Sequence, residues 1–460
     1  MISSDSAVRN CVVTVSSKNP DNSLSLEARF AETIARLTKR CVSDDGATDT
    51  PQVRLLIALS GGVDSVVLLC LAAGLEAQKF CKVRAIYVDH GLQMQSVEWG
   101  DHCAGLCESL GVGFERVTVK VDLQSGLSPE AAARDARYSA LKNKLGSGEY
   151  LCTAHHADDQ AETLLLQLFR GAGINGLASM PEVRRFGPGY LARPLLQNSQ
   201  SEIIEFATRQ QLTWCDDPSN VDPRYDRNYL RHELLPLMQK RWPRAALNIS
   251  RSAAHCAEAL TLTGELAEQD APALQRMANR LSVARLQSLA EVRQKNLLRH
   301  WISSQGFQVP STVQLRQLLS DLVDGKTDGQ GLTGFGNADV ARYQDELFIA
   351  KRGAFDPLPD FDYQWQQTDV PLFISELDWH LDATAHARLK PYIGKALQVR
   401  NRRGGERWRP DPAGQSTSVK SLLQQRRVPP WLRSRVLLVF HDDVLIDPVS
   451  YTHLTLPTKA

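Results

Sequence analysis

The chain of 460 residues offers little that would tie it to a membrane or to a metal cluster. No stretch approaches the roughly 20 consecutive apolar residues that a spanning helix needs. Residues Met1 to Ser23 are rich in serine and asparagine, with neither the apolar core of a secretion signal nor an arginine-rich amphipathic face. The expectation is a cytoplasmic protein with no membrane partner. The nine cysteines are scattered, none forms a Cys-x-x-Cys pair, and the nearest two are Cys103 and Cys107. That argues against a zinc ribbon or an iron–sulfur site and for reduced thiols. Composition is that of an ordinary globular protein, and the length predicts two to four domains. Net charge is also nearly absent, at +1, but it is unevenly spread. Between Lys390 and Arg435 stand twelve Lys or Arg against two acids, Glu406 and Asp411. A basic module on a mildly acidic body suits a polyanion such as nucleic acid, with a solvated surface as the plainer alternative.

A lysine is missing from the most distinctive loop. The apolar run Val53 to Leu59 leads into Ser60, Gly61, Gly62, Val63, Asp64 and Ser65, then into a buried helical pattern beginning with Val66 and Val67. The two glycines let the backbone approach a ligand, and successive N–H groups at a helix N-terminus cradle an anion. Without the Gly-Lys-Ser/Thr ending of a Walker A loop, nothing is placed to follow a γ-phosphate. The loop reads as a pyrophosphate site. Asp64 would repel that ligand unless Mg²⁺, a hard cation suited to carboxylate and phosphate oxygens, lay between them. A glycine-rich turn with a polar helix cap is the alternative.

Strands and helices alternate from here. Leu24 to Val42 reads as an amphipathic helix and Ser43 to Pro51 as a linker. Val83 to Gly91 reads as a strand, Trp99 to Leu110 as a helix, Phe114 to Val121 as a strand, Pro129 to Leu145 as a helix and Tyr150 to Ala154 as a strand. The fold class this implies is α/β, a doubly wound, mostly parallel sheet, with ligands at the carboxyl ends of the strands. Ser60, Asp89, His90, His155 and His156 all fall at such ends. A helical domain and a small basic α+β domain follow. The expected boundaries are an extension and linker over 1–50, a catalytic domain over 51–236, a mainly helical domain over 237–352, a linker with strands over 353–389 and a basic terminal domain over 390–460.

The segment after the fourth strand carries the second constellation. Helical spacing puts Asp158, Asp159 and Glu162 on one face and Ala161, Leu164, Leu165 and Leu168 on the other. Acids in a first turn are favoured by the helix dipole alone. Two histidines directly before them point instead to a site for a cation, either Mg²⁺ or a substrate ammonium. Ser199 to Glu202 fits a capping box. The run from Asp216 to His232 is either a substrate loop or a solvated connector. From Leu234 to about Gly325 the pattern is helical, and Val340 to Ile349 and Leu372 to His380 read as strands. In the basic module, arginines beside Trp408 and Trp431 suit phosphate contacts with stacking.

Ser60 to Ser65 resembles the loop of the PP-loop ATP pyrophosphatase superfamily. Val88 to Leu92, Ala132 to Tyr138, Ala154 to Thr163 with its continuation from Arg170 to Met180, Asp217 to Arg231 and Arg402 to Arg407 narrow the resemblance to the tRNA(Ile)-lysidine synthases. It runs from about Val53 to Asp447; residues 1–50 are longer than the family leads one to expect, and the tail after Pro448 resembles a truncated or foreign end. The resemblance implies an adenine nucleotide alpha-hydrolase-like fold and lysidine formation on the wobble cytidine of an isoleucine tRNA with a CAU anticodon. ATP and Mg²⁺ are the implied cofactors, and free L-lysine and that tRNA the implied partners; a homodimer is compatible with it. By the same resemblance ATP falls to Ser60, Gly61, Gly62, Val63, Asp64, Ser65, Asp89 and His90, and Mg²⁺ to Asp64 and Asp159. Catalysis falls to Asp64, His155, Asp159 and Glu162, with His155 as base. Lysine falls to Asp159 and Glu162 through its cationic groups and to Arg134 or Arg137 through its carboxylate. The tRNA falls to Arg170, Arg227, Asn228, Arg231, Arg402, Arg403, Arg407, Arg409, Lys420 and Arg433. Three rivals remain: a PP-loop tRNA thiolation enzyme, a metal-dependent phosphohydrolase using His155, His156, Asp158 and Asp159, and a non-catalytic RNA-binding protein.

Overall fold

In the computed structural model, the apolar run Val53–Ala58 forms β1, the centre of a six-stranded sheet. The structure describes residues 25–45, 52–91, 95–122, 129–216, 224–271, 279–325, 331–409 and 415–449. The expected extension up to residue 23, most of the expected linker, the 217–223 part of the polar run and the tail from 450 lie outside them. The chain divides into two compact units, 1–261 and 262–460.

In the first unit the order is α1 (Leu26–Asp45), β1, α2 (Val63–Ala77), β2 (Cys81–Asp89), α3 (Ser96–Leu110), β3 (Gly113–Thr118), α4 (Pro129–Lys144) and β4 (Tyr150–Cys152). Then come α5 (Ala157–Phe169), α6 (Ile174–Leu177), β5 (Val183–Phe186), β6 (Gly189–Ala192) and α7 (Gln200–Arg209). A short helix α8 (Asp226–Tyr229) runs through a π-turn, Leu230–Leu234, into α9 (Leu235–Arg241), and α10 (Ala245–Asp270) follows. Strand order is β3-β2-β1-β4-β6-β5, all parallel except the edge strand β5. The doubly wound architecture expected from the βα rhythm is present, and the order reverses between β1 and β4. Ligands bind at such a reversal, outside the carboxyl ends of the strands.

Core packing explains the regular part. Leu55, Ile57, Val66, Leu69 and Leu71 are buried in one cluster with Leu26, Phe30, Ile34 and Leu37 of α1, whose three- and four-residue spacing gives one apolar stripe. Ser199 and Glu202 form the expected capping box on α7. Two strand readings are corrected. The third strand stops at Thr118, opposite Asp89 at the end of β2, and Val119 N closes the ladder by donating to Asp89 O at 2.8 Å. The β5–β6 hairpin had no counterpart in the sequence reading, because β5 carries Arg184 and Arg185 in place of an apolar run.

Gly189 opens β6 where a side chain has no room: a Cβ there would lie 2.2 Å from Glu149 O and 3.1 Å from Gly146 O. Gly189→Ala must displace backbone, and overpacking of this kind costs about 3 kcal/mol. A lowered urea midpoint checks this, and an unchanged midpoint would contradict so close an approach.

The second unit holds two antiparallel four-stranded sheets. The first comprises Arg280–Ser282, Leu332–Phe335, Ala338–Tyr343 and Glu346–Lys351, and it packs with the helix Glu291–Ser304 through Leu297, Leu298, Trp301 and Ile302. The expected single strand from Val340 to Ile349 is therefore a hairpin, turned at Gln344 with φ 54°. Likewise the stretch from Leu372 to His380 is two strands, Leu372–Ile374 and Trp379–Leu381. The second sheet comprises Asp362–Trp365, Leu397–Asn401, Leu437–His441 and Val444–Val449. Among the described residues no helix is long and apolar enough to cross a membrane.

Candidate functional site

The glycine loop is built as a cradle. Gly61 sits at φ +88°, a left-handed conformation that L side chains rarely adopt, and a Cβ there would also meet Cys103 Sγ at 3.4 Å and Cys215 Sγ at 3.6 Å. Cys215 N donates to Gly61 O at 2.9 Å, holding the loop from outside. Ser65 Oγ donates to Gly62 O at 2.9 Å and accepts from Ser60 N at 3.1 Å. No side chain caps the N-terminus of α2, so the N–H groups at Val63 and Asp64 stay aimed at whatever occupies the loop.

Asp64 and the segment after β4 meet across the β1/β4 reversal. His156 is 1% exposed, with Nε2 3.7 Å from Asp64 Oδ2 and 3.4 Å from Asp159 Oδ2, and Nδ1 3.6 Å from Asp158 Oδ2. Burial alone would lower its pKa, yet the three carboxylates raise it to about 10, so it is an imidazolium at neutral pH. His155 behaves oppositely. Its burial, with Arg193, Arg227 and Arg134 adding to it, pushes it down to about 3, and its Nδ1 lies 2.9 Å from Thr153 Oγ1. Two adjacent histidines thus hold different protonation states, and the sequence singled out the neutral one. His156 is the residue that sequence reasoning left among the rival metal ligands; its position directly before an acid-rich first turn was the available signal.

The acid face of α5 is closed by arginines from further along the chain. Glu162 is fully buried, with Arg227 Nε donating to Oε2 at 2.6 Å and Arg231 Nε to Oε1 at 2.6 Å. Both arginines also reach Asp159 Oδ1, at 3.1 Å and 2.9 Å. Arg227 and Arg231 are one turn apart, across α8 and the π-turn, so their guanidiniums converge on the same two acids. Although burial works against it, the charges of His156, Arg227 and Arg231 hold Asp159 down to about 2. On the other face Ala161 and Leu165 pack with Leu230, Leu235 and Ala246. Leu168 is a correction: it is 50% exposed, because the helix runs past its partners one turn before its end.

These oxygens fit Mg²⁺ in one place. Asp64 Oδ1 is buried with no hydrogen-bond partner, whereas both oxygens of Asp159 are engaged, Oδ2 accepting from His156 N at 3.1 Å. Among the described residues no three His, Cys, Asp or Glu are grouped to hold a metal ion. Mg²⁺ commonly binds through one or two carboxylates plus substrate phosphates, and Asp64 beside the loop supplies that arrangement.

The remaining expected residues divide by place. Asp89 ends β2 and is spoken for by Gly91 N at 2.9 Å and Arg116 at 3.1 Å; His90 follows it, half-buried. Arg134 is exposed and Arg137 half-buried on α4, their guanidiniums 5.1 Å and 5.8 Å from the Tyr138 ring centroid. Arg170 is exposed and Asn228 half-buried. In the second unit Glu406 accepts from Arg403 N and Gly404 N, at 2.7 Å and 3.0 Å, and pairs with Arg400 and Arg402. This fixes the glycine loop so that Arg403, Arg407, Arg409 and Lys420 stay exposed. Arg433 instead binds Val428 O at 2.9 Å. Trp408 and Trp431 do not form the expected stacking surface. Trp408 is 6% exposed and donates to Ile446 O, and Trp431 lies edge-on to Tyr343, Phe348 and Phe355.

Comparison with known proteins places this geometry. Residues 27–238 match the PP-loop domain family, 281–348 the TilS substrate binding domain and 397–447 the TilS substrate C-terminal domain. A tRNA(Ile)-lysidine synthase from Coxiella burnetii is 37% identical over 412 residues, 88% of this chain and 90% of that protein. One from Alkalilimnicola ehrlichii is 40% identical over 394 residues, 85% of this chain and 88% of that protein. Among solved structures, the U34-tRNA thiolase NcsA from Methanococcus maripaludis is 20% identical, with a TM-score of 0.38 over 49% of this chain and 80% of its own. Similarity to the synthases at this level over nearly the whole chain means that the protein belongs to the tRNA(Ile)-lysidine synthase family.

Proposed function

We propose that this protein is an ATP-dependent ligase that joins free L-lysine to carbon 2 of the wobble cytidine in an isoleucine tRNA with a CAU anticodon, releasing AMP and pyrophosphate. The observation that carries the reading is the meeting of the phosphate cradle, Asp64 and the acid helix at one strand reversal, in a chain of this family. The oxygen on carbon 2 of cytosine is a poor leaving group. It attacks the α-phosphate of ATP, pyrophosphate departs onto Ser60 to Ser65, and the oxygen becomes part of an AMP ester. The lysine ε-amine then displaces AMP. Asp64 would hold Mg²⁺ there, and the ion would supply neutralisation of the charge on the phosphates.

In this reading Arg227 and Arg231 exchange their carboxylates for the adenylate phosphate, with Asn228 beside the cytidine, and the lysine ammonium takes over Asp159 and Glu162. His155, once the lysine carboxylate and the adenylate phosphate answer the arginines that depress it, accepts the proton that makes the amine a nucleophile. Arg134 or Arg137 faces the lysine carboxylate, and Asp89 and His90 border the nucleotide. The domain over 237–352 and the basic module over 390–460 hold the tRNA, the latter through Arg402, Arg403, Arg407, Arg409 and Lys420. Radiolabelled lysine, ATP, Mg²⁺ and the tRNA should give acid-precipitable label with release of AMP. Pyrophosphate release without label would point to another PP-loop acceptor, and no turnover of nucleotide to a binding protein.

A further inference from the structure

Arg193 is a buried guanidinium near this site that faces the Tyr138 hydroxyl but no carboxylate among the described residues. It is 4% exposed, immediately past the end of β6. One terminal nitrogen donates to Pro181 O at 2.6 Å, its Nε is buried without an acceptor, and no carboxylate among the described residues pairs with it. A buried guanidinium without a counter-ion is costly, and an anionic ligand would offset that cost. The place of Arg193 says which ligand. β6 runs parallel to β4, and Thr153 N donates to Ala192 O at 3.0 Å, so Arg193 and the Thr153–His155 pair stand at the carboxyl ends of adjacent strands. Glu182 O accepts Arg193 N at 2.8 Å and anchors its backbone against the neighbouring edge.

We propose that Arg193 is the buried half of an oxyanion site that takes the α-carboxylate of the amino-acid substrate, with Arg134 closing over it from α4. This rests on the lysine-ligase reading and names a residue which that reading had not assigned. The phosphates of ATP already have the Ser60–Ser65 cradle and Asp64, and the two acids of α5 call for the cationic end of the same molecule. A carboxylate at Arg193 and an ammonium at Asp159 and Glu162 then straddle His155. A planar guanidinium suits a carboxylate as a point charge does not.

The test uses the full chain and compares lysine with cadaverine, which has the same carbon chain and amines but no carboxylate. In the parent protein, cadaverine should be about a hundredfold worse in kcat/KM, because the buried arginine is then left unpaired. Arg193→Met should lower kcat/KM for lysine by about the same factor while leaving that for cadaverine and the KM for ATP unchanged, so that the two amines become equivalent. Arg193→Lys should recover part of the preference. Circular dichroism and urea midpoints identify folded variants, and the parent's preference for lysine over cadaverine needs no variant at all. A parent that uses both amines equally, or a folded Arg193→Met that still prefers lysine a hundredfold, overturns the assignment. So does a loss seen in the KM for ATP alone, which would place a phosphate there. A parent that turns over ATP but joins neither amine to tRNA would instead overturn the ligase reading and the assignment with it.

Discussion

Glu162→Ala is expected to abolish lysine incorporation and to lower stability by about 3 kcal/mol, the cost of leaving buried charges without a partner. Glu162 is fully buried and accepts from both Arg227 and Arg231. After truncation the two guanidiniums share only Asp159 Oδ1, which is left as the polar tie between α8 and α5. Two effects are therefore mixed, and a compensated variant separates them. Replacing Glu162 with Leu together with Arg227→Met and Arg231→Met exchanges a buried ionic group for apolar packing, which is often neutral or stabilising. That triple variant should recover the urea midpoint and stay inactive. Activity recovered along with stability would mean that Glu162 only holds the helix in place, and its proposed role toward the lysine ammonium would fall.

What could be read beforehand follows from the range of the interactions. The parallel sheet was legible because each buried strand is a local apolar run, and the glycine loop because its backbone demands are local as well. The acid helix was legible as a face of carboxylates, but its partners were not: Arg227 and Arg231 lie 65 to 72 residues further along, in a run whose polarity equally suited a solvated connector. The same limit applies to the two histidines. Their types are identical and adjacent, and only the fold turns one toward three carboxylates and the other into a neutral, buried position. The basic module shows a third form of it. Its charge excess is real, yet Glu406 and Asp362 engage Arg400, Arg402 and Arg403, Arg433 is tied to a main-chain oxygen, Trp408 is buried and Trp431 packs against the core. Composition reports how much charge is present and leaves open which of it is exposed.

Asp64→Asn is expected to separate chemistry from folding in the other direction. The side chain is about one-third exposed, in the first turn of α2, where a carboxylate gains at most about 1 kcal/mol from the helix dipole. Asparagine keeps the shape and an acceptor oxygen, and Asp158 and Asp159 still face the His156 imidazolium, so the urea midpoint should move by only about 1 kcal/mol. Turnover should fall by about a thousandfold, since a charge aimed at the reacting phosphates acts mainly in the transition state. The buried Oδ1 has no partner among the described residues, and the dependence on Mg²⁺ is the discriminating readout. The parent's rate should saturate with Mg²⁺, and the variant should require far more of it or fail to respond. If Asp64 is instead only a polar cap on a glycine-rich turn, the outcome reverses: the midpoint falls, pyrophosphate release per folded molecule is retained, and the Mg²⁺ dependence is that of the parent.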